Sequence, residues 1–141
     1  MCWIMWQARY NYVFNTEANT MELQYSELDN GIRLIELNGA LDMNGTYAIE
    51  VEFVRHCTGK NVHVLVDLSR VSYISSIGIP MLINSAKAVT SQGGKMALLN
   101  PQKTVEDVLE ITGIPLIIPV YSDLQSAIAA LLSSKDLSTA V

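Results

Sequence analysis

The stretch from Val62 to Pro80 limits what this chain can fold into more than any other. It opens with Val62 to Val66, a largely β-branched run that holds His63 and shows no regular alternation of apolar and polar residues through Val64-Leu65-Val66. A strand covered on one face would alternate, so this run reads as a strand buried on both faces, ending at Asp67. A helical pattern then opens near Gly78, with apolar residues at Ile79, Leu82, Ile83, Ala86 and Val89. Between them lie about ten residues, where βα connections usually take about two to six. The sequence thus predicts a long loop that ends in Ser75-Ser76 at a helix start. Such a place, at the carboxyl end of a strand, is where open α/β sheets receive ligands and partners.

The rest of the chain fits around that unit. Met21 to Leu28 and Ile32 to Leu37 read as strands joined across Asn30-Gly31, a strong hairpin signal because both residues tolerate positive φ. Asp42 or Asn44 is expected to cap a helix from Thr46 to Cys57. That helix buries either Ala48, Val51 and Val54 or the neighbouring Ile49 and Phe53, and Gly59 reads as its C′ residue. After Gln92-Gly93-Gly94 a strand follows at Lys95 to Leu99, and Pro101 reads as the first residue of a helix stopped by Thr112-Gly113. Leu116 to Val120 reads as a short strand near an edge, because it contains Pro119. Ser122-Asp123 is expected to cap a last helix whose Leu124, Ala127, Ile128 and Leu131 form one stripe. The order β-β-α-β-α-β-α-β-α implies an α/β fold with a mostly parallel, mixed sheet, an N-terminal hairpin and four helices.

The ends differ from this body. Residues 1–20 hold Trp3, Trp6, Tyr10, Tyr12 and Phe14 without a helical or strand period. They read as an aromatic extension dispensable to the domain, or as an extra strand or partner-binding arm. Residues 21–133 read as the domain and 134–141 as a frayed tail. The net charge of −5 argues against non-specific nucleic-acid binding, which needs a basic surface. No apolar run approaches the roughly 18 residues that would cross a bilayer, so no membrane insertion is expected. Cys2 and Cys57 have neither metal spacing nor a disulfide framework, which suits a reducing cytoplasm. His56 and His63 lack ligand-spaced companions, and Gly93-Gly94-Lys95 joins helix to strand instead of cradling phosphate. No catalytic constellation, metal site or cofactor is expected.

The residues Asp67-Leu-Ser-Arg-Val-Ser-Tyr-Ile-Ser-Ser-Ile-Gly-Ile79 closely resemble the signature of the STAS domain of bacterial anti-anti-sigma factors, that is, anti-sigma factor antagonists. That signature reads roughly Asp-Leu-Ser-x-Val-x-aromatic-apolar-Asp-Ser-Ser/Thr-Gly-Leu-Gly. The resemblance extends from about Met21 to Leu132 and includes Gly93-Gly94-Lys95-Met96 and Ile111-Thr112-Gly113-Ile114. It implies a STAS fold and a regulatory binding module that is not an enzyme. It further implies two partners: an anti-sigma factor that is a serine kinase, and a phosphatase of the metal-dependent serine/threonine type. The family's phosphorylated Ser falls on Ser76, its Asp on Ser75, its second Ser/Thr on Ile77, its Gly on Gly78 and its second Gly on Pro80. Asp42 matches the family's loop acid at the end of the second strand.

The resemblance thus implies Ser76 as the phosphorylation site, and Asp42, Ser75, Ser76, Ile77 and Gly78 as the partner-binding surface. Read without it, Ser76 or Ser75 is a helix cap, and Asp42 a cap or turn residue. Ser75, Ile77 and Pro80 depart from the signature, which keeps a second reading open. In that reading the chain is a STAS scaffold in another signalling or membrane-transport complex, without a phospho-switch. A nucleotide-binding enzyme on a doubly wound sheet is a third reading, against which stand the absent glycine-rich phosphate loop and the lack of basic residues near the first helix starts.

Overall fold

The computed structural model describes residues 21–133. The expectations for residues 1–20 and 134–141 lie outside the described residues. The elements run β1 (Glu22–Glu27), β2 (Arg33–Leu41), α1 (Met43–His56), β3 (His63–Ile74), α2 (Gly78–Ser91), β4 (Lys95–Leu99) and α3 (Lys103–Ile111). A single 3-10 turn (Ile114–Leu116), β5 (Val120–Tyr121) and α4 (Leu124–Leu132) complete the described chain. The sheet order is β1-β2-β3-β4-β5, with β1 antiparallel to β2 and every other pair parallel. This is the expected mixed α/β sheet with an N-terminal hairpin and four helices.

The unbroken apolar run of β3 serves two cores, one on each face. Val64 and Val66 join Ile49, Phe53, Leu82 and Val89 in the larger core. Leu65, between them, joins Ala127 and Leu131 of α4 in the smaller one. A period of two along a strand sends neighbours to opposite faces, so a doubly covered strand must be apolar at consecutive positions. The carboxyl ends of α1 and α4 are tied to the sheet by cations. Arg33 Nη1 donates to the carbonyls of His56 and Thr58, each at 2.9 Å. Lys95 Nζ donates to the carbonyls of Ala130, at 3.2 Å, and Ser133. A positive group there meets the unsatisfied carbonyls and the negative end of the helix dipole.

Several expectations are corrected. The strand does not end at Asp67: it begins at His63 and continues to Ile74, so the long loop shrinks to residues 75–77. The register explains why periodicity hid this. Glu36 pairs Asp67 but Asn38 pairs Arg70, and Gly39 pairs Val71 but Ala40 pairs Tyr73. Each step inserts one extra residue into β3, and a bulge shifts the alternation by one. Pairing with β4 stops at Asp67, so the rest of β3 is an edge, and its Ser69, Arg70, Ser72 and Tyr73 look like loop residues. Gln102 Nε2 covers part of that edge by donating to the Ser69 carbonyl at 2.9 Å.

In the hairpin only Gly31 takes positive φ (89°). Gly31 N donates to Leu28 O and Leu28 N to Ile32 O, both at 2.8 Å, which makes a three-residue loop with glycine as its left-handed residue. Helix α1 starts at Met43, earlier than expected, with Asp42 as the cap and Asn44 inside the first turn. Its core face is the Ile49 and Phe53 alternative, while Val51 is 77% exposed. Its C-cap is Cys57, so Gly59 lies beyond the C′ position. Pro101 precedes α3 instead of opening it, because Gln102 holds the extended cap conformation. The expected strand from Leu116 shortens to Val120–Tyr121, since Pro115 suits the start of the 3-10 turn and Pro119 cannot donate to a ladder.

Candidate functional site

Two helices start against the carboxyl end of β2, and both are fitted to Leu41. For α1, the residue after Leu41 is the cap. Asp42 is extended (φ −90°, ψ −168°), and its Oδ1 accepts the Gly45 N–H at 2.8 Å. The first turn then folds back so tightly that a Cβ on Gly45 would stand 1.9 Å from the Ala40 carbonyl oxygen. Only glycine fits there. For α2, the chain leaves β3 at Ile74, the register partner of Leu41. The Ser75 N–H and the Ser75 hydroxyl both donate to the Leu41 carbonyl, at 2.9 and 3.0 Å. Gly78 packs on the same spot, where an added Cβ would lie 3.2 Å from both Leu41 Cβ and Ile74 Cγ1.

This geometry assigns the two serines different work. Ser75 Oγ accepts the Ile77 N–H at 3.1 Å, and the Ser75 carbonyl accepts the Gly78 N–H at 3.0 Å. Ser75 therefore caps the turn that leads into α2, as a hydroxyl two residues ahead of an N–H does in Ser/Thr turns, while Ile77, just before the helix, makes no side-chain cap. An aspartate at this position could accept the same N–H but could not donate to Leu41. Ser76 is exposed, and its hydroxyl has no hydrogen-bond partner among the described residues. Ile77 is half-buried beside it. Pro80 lies in the first turn of α2, where its missing N–H costs no helical bond.

The structure thus brings Asp42, Ser75, Ser76, Ile77 and Gly78 to one corner of the sheet. The Asp42 carboxylate is engaged by its own helix and is not hydrogen-bonded to Ser76. The site presents a free hydroxyl at the amino terminus of a 14-residue helix, a place where added negative charge is favoured. Among the described residues no side chain hydrogen-bonds to that hydroxyl.

Sequence reasoning missed the surroundings of this corner. Met43, Tyr47, Val51 and Val54 leave a second apolar stripe on α1, between 43% and 77% exposed. Their spacing of four, four and three residues was a readable signal. Between α1 and α2 runs a groove of about 390 Å³ that reaches Ser76. Cys57, at the end of α1, lines it with a thiol that burial pushes up to about 12, against the opposing effect of the neighbouring Ser85 hydroxyl. At the same helix end, His56 stacks on Tyr25 with ring centroids 3.9 Å apart. Burial lowers its pKa below 6.5, against the opposing pull of Glu52. Among the described residues no group of three His, Cys, Asp or Glu side chains is placed to hold a metal ion, and no helix is long and apolar enough to cross a membrane.

Comparison with known proteins places the fold. The sequence pattern of the STAS domain matches residues 26–127. The chain belongs to the STAS domain family. BtrV of Bordetella bronchiseptica is 29% identical over 110 residues, which span 78% of this chain and 94% of BtrV. An anti-sigma F factor antagonist of Paenibacillus polymyxa is 23% identical over 113 residues, 79% of this chain and 97% of the relative. Among solved structures, the Bacillus cell fate determinant SpoIIAA in its phosphorylated form superposes with a TM-score of 0.57 at 19% identity. That match covers 77% of this chain and 97% of SpoIIAA, and at this identity it is a likeness of fold.

Proposed function

We propose that this STAS protein is an anti-sigma factor antagonist, active while Ser76 is unmodified and switched off when Ser76 is phosphorylated. In this reading it binds an anti-sigma factor that is also a serine kinase, and so regulates transcription indirectly in the cytoplasm. The kinase transfers phosphate to Ser76, a phosphatase of the metal-dependent serine/threonine type removes it, and the chain itself is substrate, not enzyme. Residues 21–133 serve as the domain, with 1–20 and 134–141 as appendages. Asp42, Ser75, Ser76, Ile77 and Gly78 form the centre of the partner surface.

One observation carries this reading. Of the two adjacent serines, Ser75 is consumed by capping, and Ser76 is left exposed and without a side-chain partner among the described residues. A residue needed only as a cap would be the other way round. The departures from the family signature are compatible with it: Ser75 still caps the turn that leads into α2, and Pro80 falls where an N–H is dispensable.

Site-resolved phosphopeptide mapping from the native cell, under growth and under stress, tests the proposal. Trypsin releases Val71 to Lys87, which contains Ser72, Ser75, Ser76 and Ser85. Ser85 is buried, Ser75 is engaged and Ser72 lies within β3, donating to the Gly39 carbonyl at 3.4 Å, so the phosphate is expected on Ser76, with an occupancy that changes between conditions. The unmodified peptide well detected in every condition, with no phosphate on Ser76, would refute the switch and favour the scaffold reading.

A further inference from the structure

The groove between α1 and α2 has features that a helix seam does not need. Two of its lining residues, Thr46 on α1 and Ser85 on α2, are 1% and 4% exposed. Neither hydroxyl has a hydrogen-bond partner of good geometry among the described residues, although that of Ser85 lies beside the Cys57 thiol. Buried hydroxyls are normally paired, and helix seams are usually filled with apolar side chains. Both line an opening of about 390 Å³ between the two helices, within the range of pockets that take small ligands. By turning toward an occupant, Thr46 would give up no existing bond, and Ser85 only its weak contact with the Cys57 thiol. Most of the lining surface is apolar, with Tyr47 and Val54 from α1 and Pro80 and Met81 from α2, while Glu50, Thr58, Ser76 and Asn84 are its exposed polar residues.

We propose that this groove binds a small uncharged molecule, mainly apolar, carrying one hydrogen-bonding group such as an amide or alcohol that the Thr46 and Ser85 hydroxyls receive. The charge of the lining selects the class. Glu50 is the one lining side chain charged at neutral pH, and no lysine or arginine lines the groove. A phosphate or carboxylate would lose its hydration without gaining a cation, so nucleotides and fatty acids are excluded. The Cys57 thiol, neutral at physiological pH, adds a third polar group that does not charge the site. The inference rests on the groove alone and stands whether or not Ser76 is phosphorylated.

Titration of the full-length ¹⁵N-labelled protein with hexanamide, with hexanoate as its charged counterpart, is the direct test. Hexanamide is expected to bind on the order of millimolar, as befits so small a probe. Its amide shift changes should cluster at Thr46, Tyr47, Val54, Met81 and Ser85. Hexanoate should bind at least about tenfold more weakly. Ser85→Ala and Thr46→Val should each weaken hexanamide by about threefold to tenfold while leaving Tm equal or higher, because each removes a buried hydroxyl without a partner of good geometry. That pairing of weaker binding with undiminished stability separates a ligand site from a merely structural position. Equal affinity for the two probes, unaltered affinity in both variants, or no shift changes in the groove would overturn the proposal.

Discussion

Ser75 and Ser76 are the same residue type in adjacent positions, yet the backbone around them makes them unequal. Ser75 takes part in five hydrogen bonds at the start of α2, two of them to Leu41, whereas the Ser76 hydroxyl has none among the described residues. Ser75→Ala should therefore destabilise the domain by about 0.5–2 kcal/mol, the range for losing a cap. Ser76→Ala should stay within about 0.5 kcal/mol, as for an exposed side chain without contacts. Urea denaturation of the two variants checks this, and equal losses would contradict the division of labour. His56 offers a second test at this scale. Its pKa in the fold lies below 6.5, so as pH falls the unfolded chain takes up the proton first. The stability from neutral His56 is complete above about pH 6.5 and is lost as pH drops from there toward the lowered pKa. Tm should fall between about pH 7.5 and 5.5, and His56→Phe, which keeps a ring against Tyr25, should flatten that slope. Identical slopes in the two proteins would show that His56 is not responsible.

At the scale of elements, what the sequence revealed depended on whether one physical signal dominated. The start of α4 was legible because Asp123 caps with its own side chain, accepting the Ser126 N–H at 2.8 Å; Asp42 does the same for Gly45 in α1, but Asn44 is an equal candidate in the sequence and the pattern predicts the helix only from Thr46. The start of α3 was misplaced because proline suits both a first helical position and the extended residues before one. The second half of β3 was hidden by its two bulges and by the polar residues of an edge. In α1 the apolar residues lie on more than one side, and periodicity alone left two faces open. Packing settles it: Ile49 and Phe53 are 4% and 0% exposed, while Val51 and Val54 remain outside. The candidate corner was legible as a location, since a hydroxyl pair before a helix pattern marks it. Which hydroxyl is free was not legible, because that depends on the Leu41 carbonyl, 34 residues away in sequence. Nor was the groove, whose two walls belong to helices separated by β3.

At the scale of the molecule, phosphorylation of Ser76 must act through either folding or binding, and the magnitudes distinguish them. The phosphate adds about −1.5 to −2 charges at the amino end of α2. There the helix dipole favours it by about 0.3–2 kcal/mol, so the fold gains or is indifferent. The adjoining groove supplies no cation and already holds Glu50, so the charge remains unneutralised at the surface. Buried in an interface without a counter-charge, it would cost about 3–5 kcal/mol. Since about 1.4 kcal/mol is a tenfold change, the complex would weaken more than a hundredfold. Ser76→Asp, which carries part of that charge, should leave Tm nearly unchanged and lower affinity for the anti-sigma factor, measured by calorimetry against wild type and Ser76→Ala. Ser76→Ala should keep most of the wild-type affinity, because it removes a small neutral group from the partner surface and adds no charge. A large loss of Tm in Ser76→Asp with unaltered affinity would place the effect in folding and remove the basis for a binding switch at this helix.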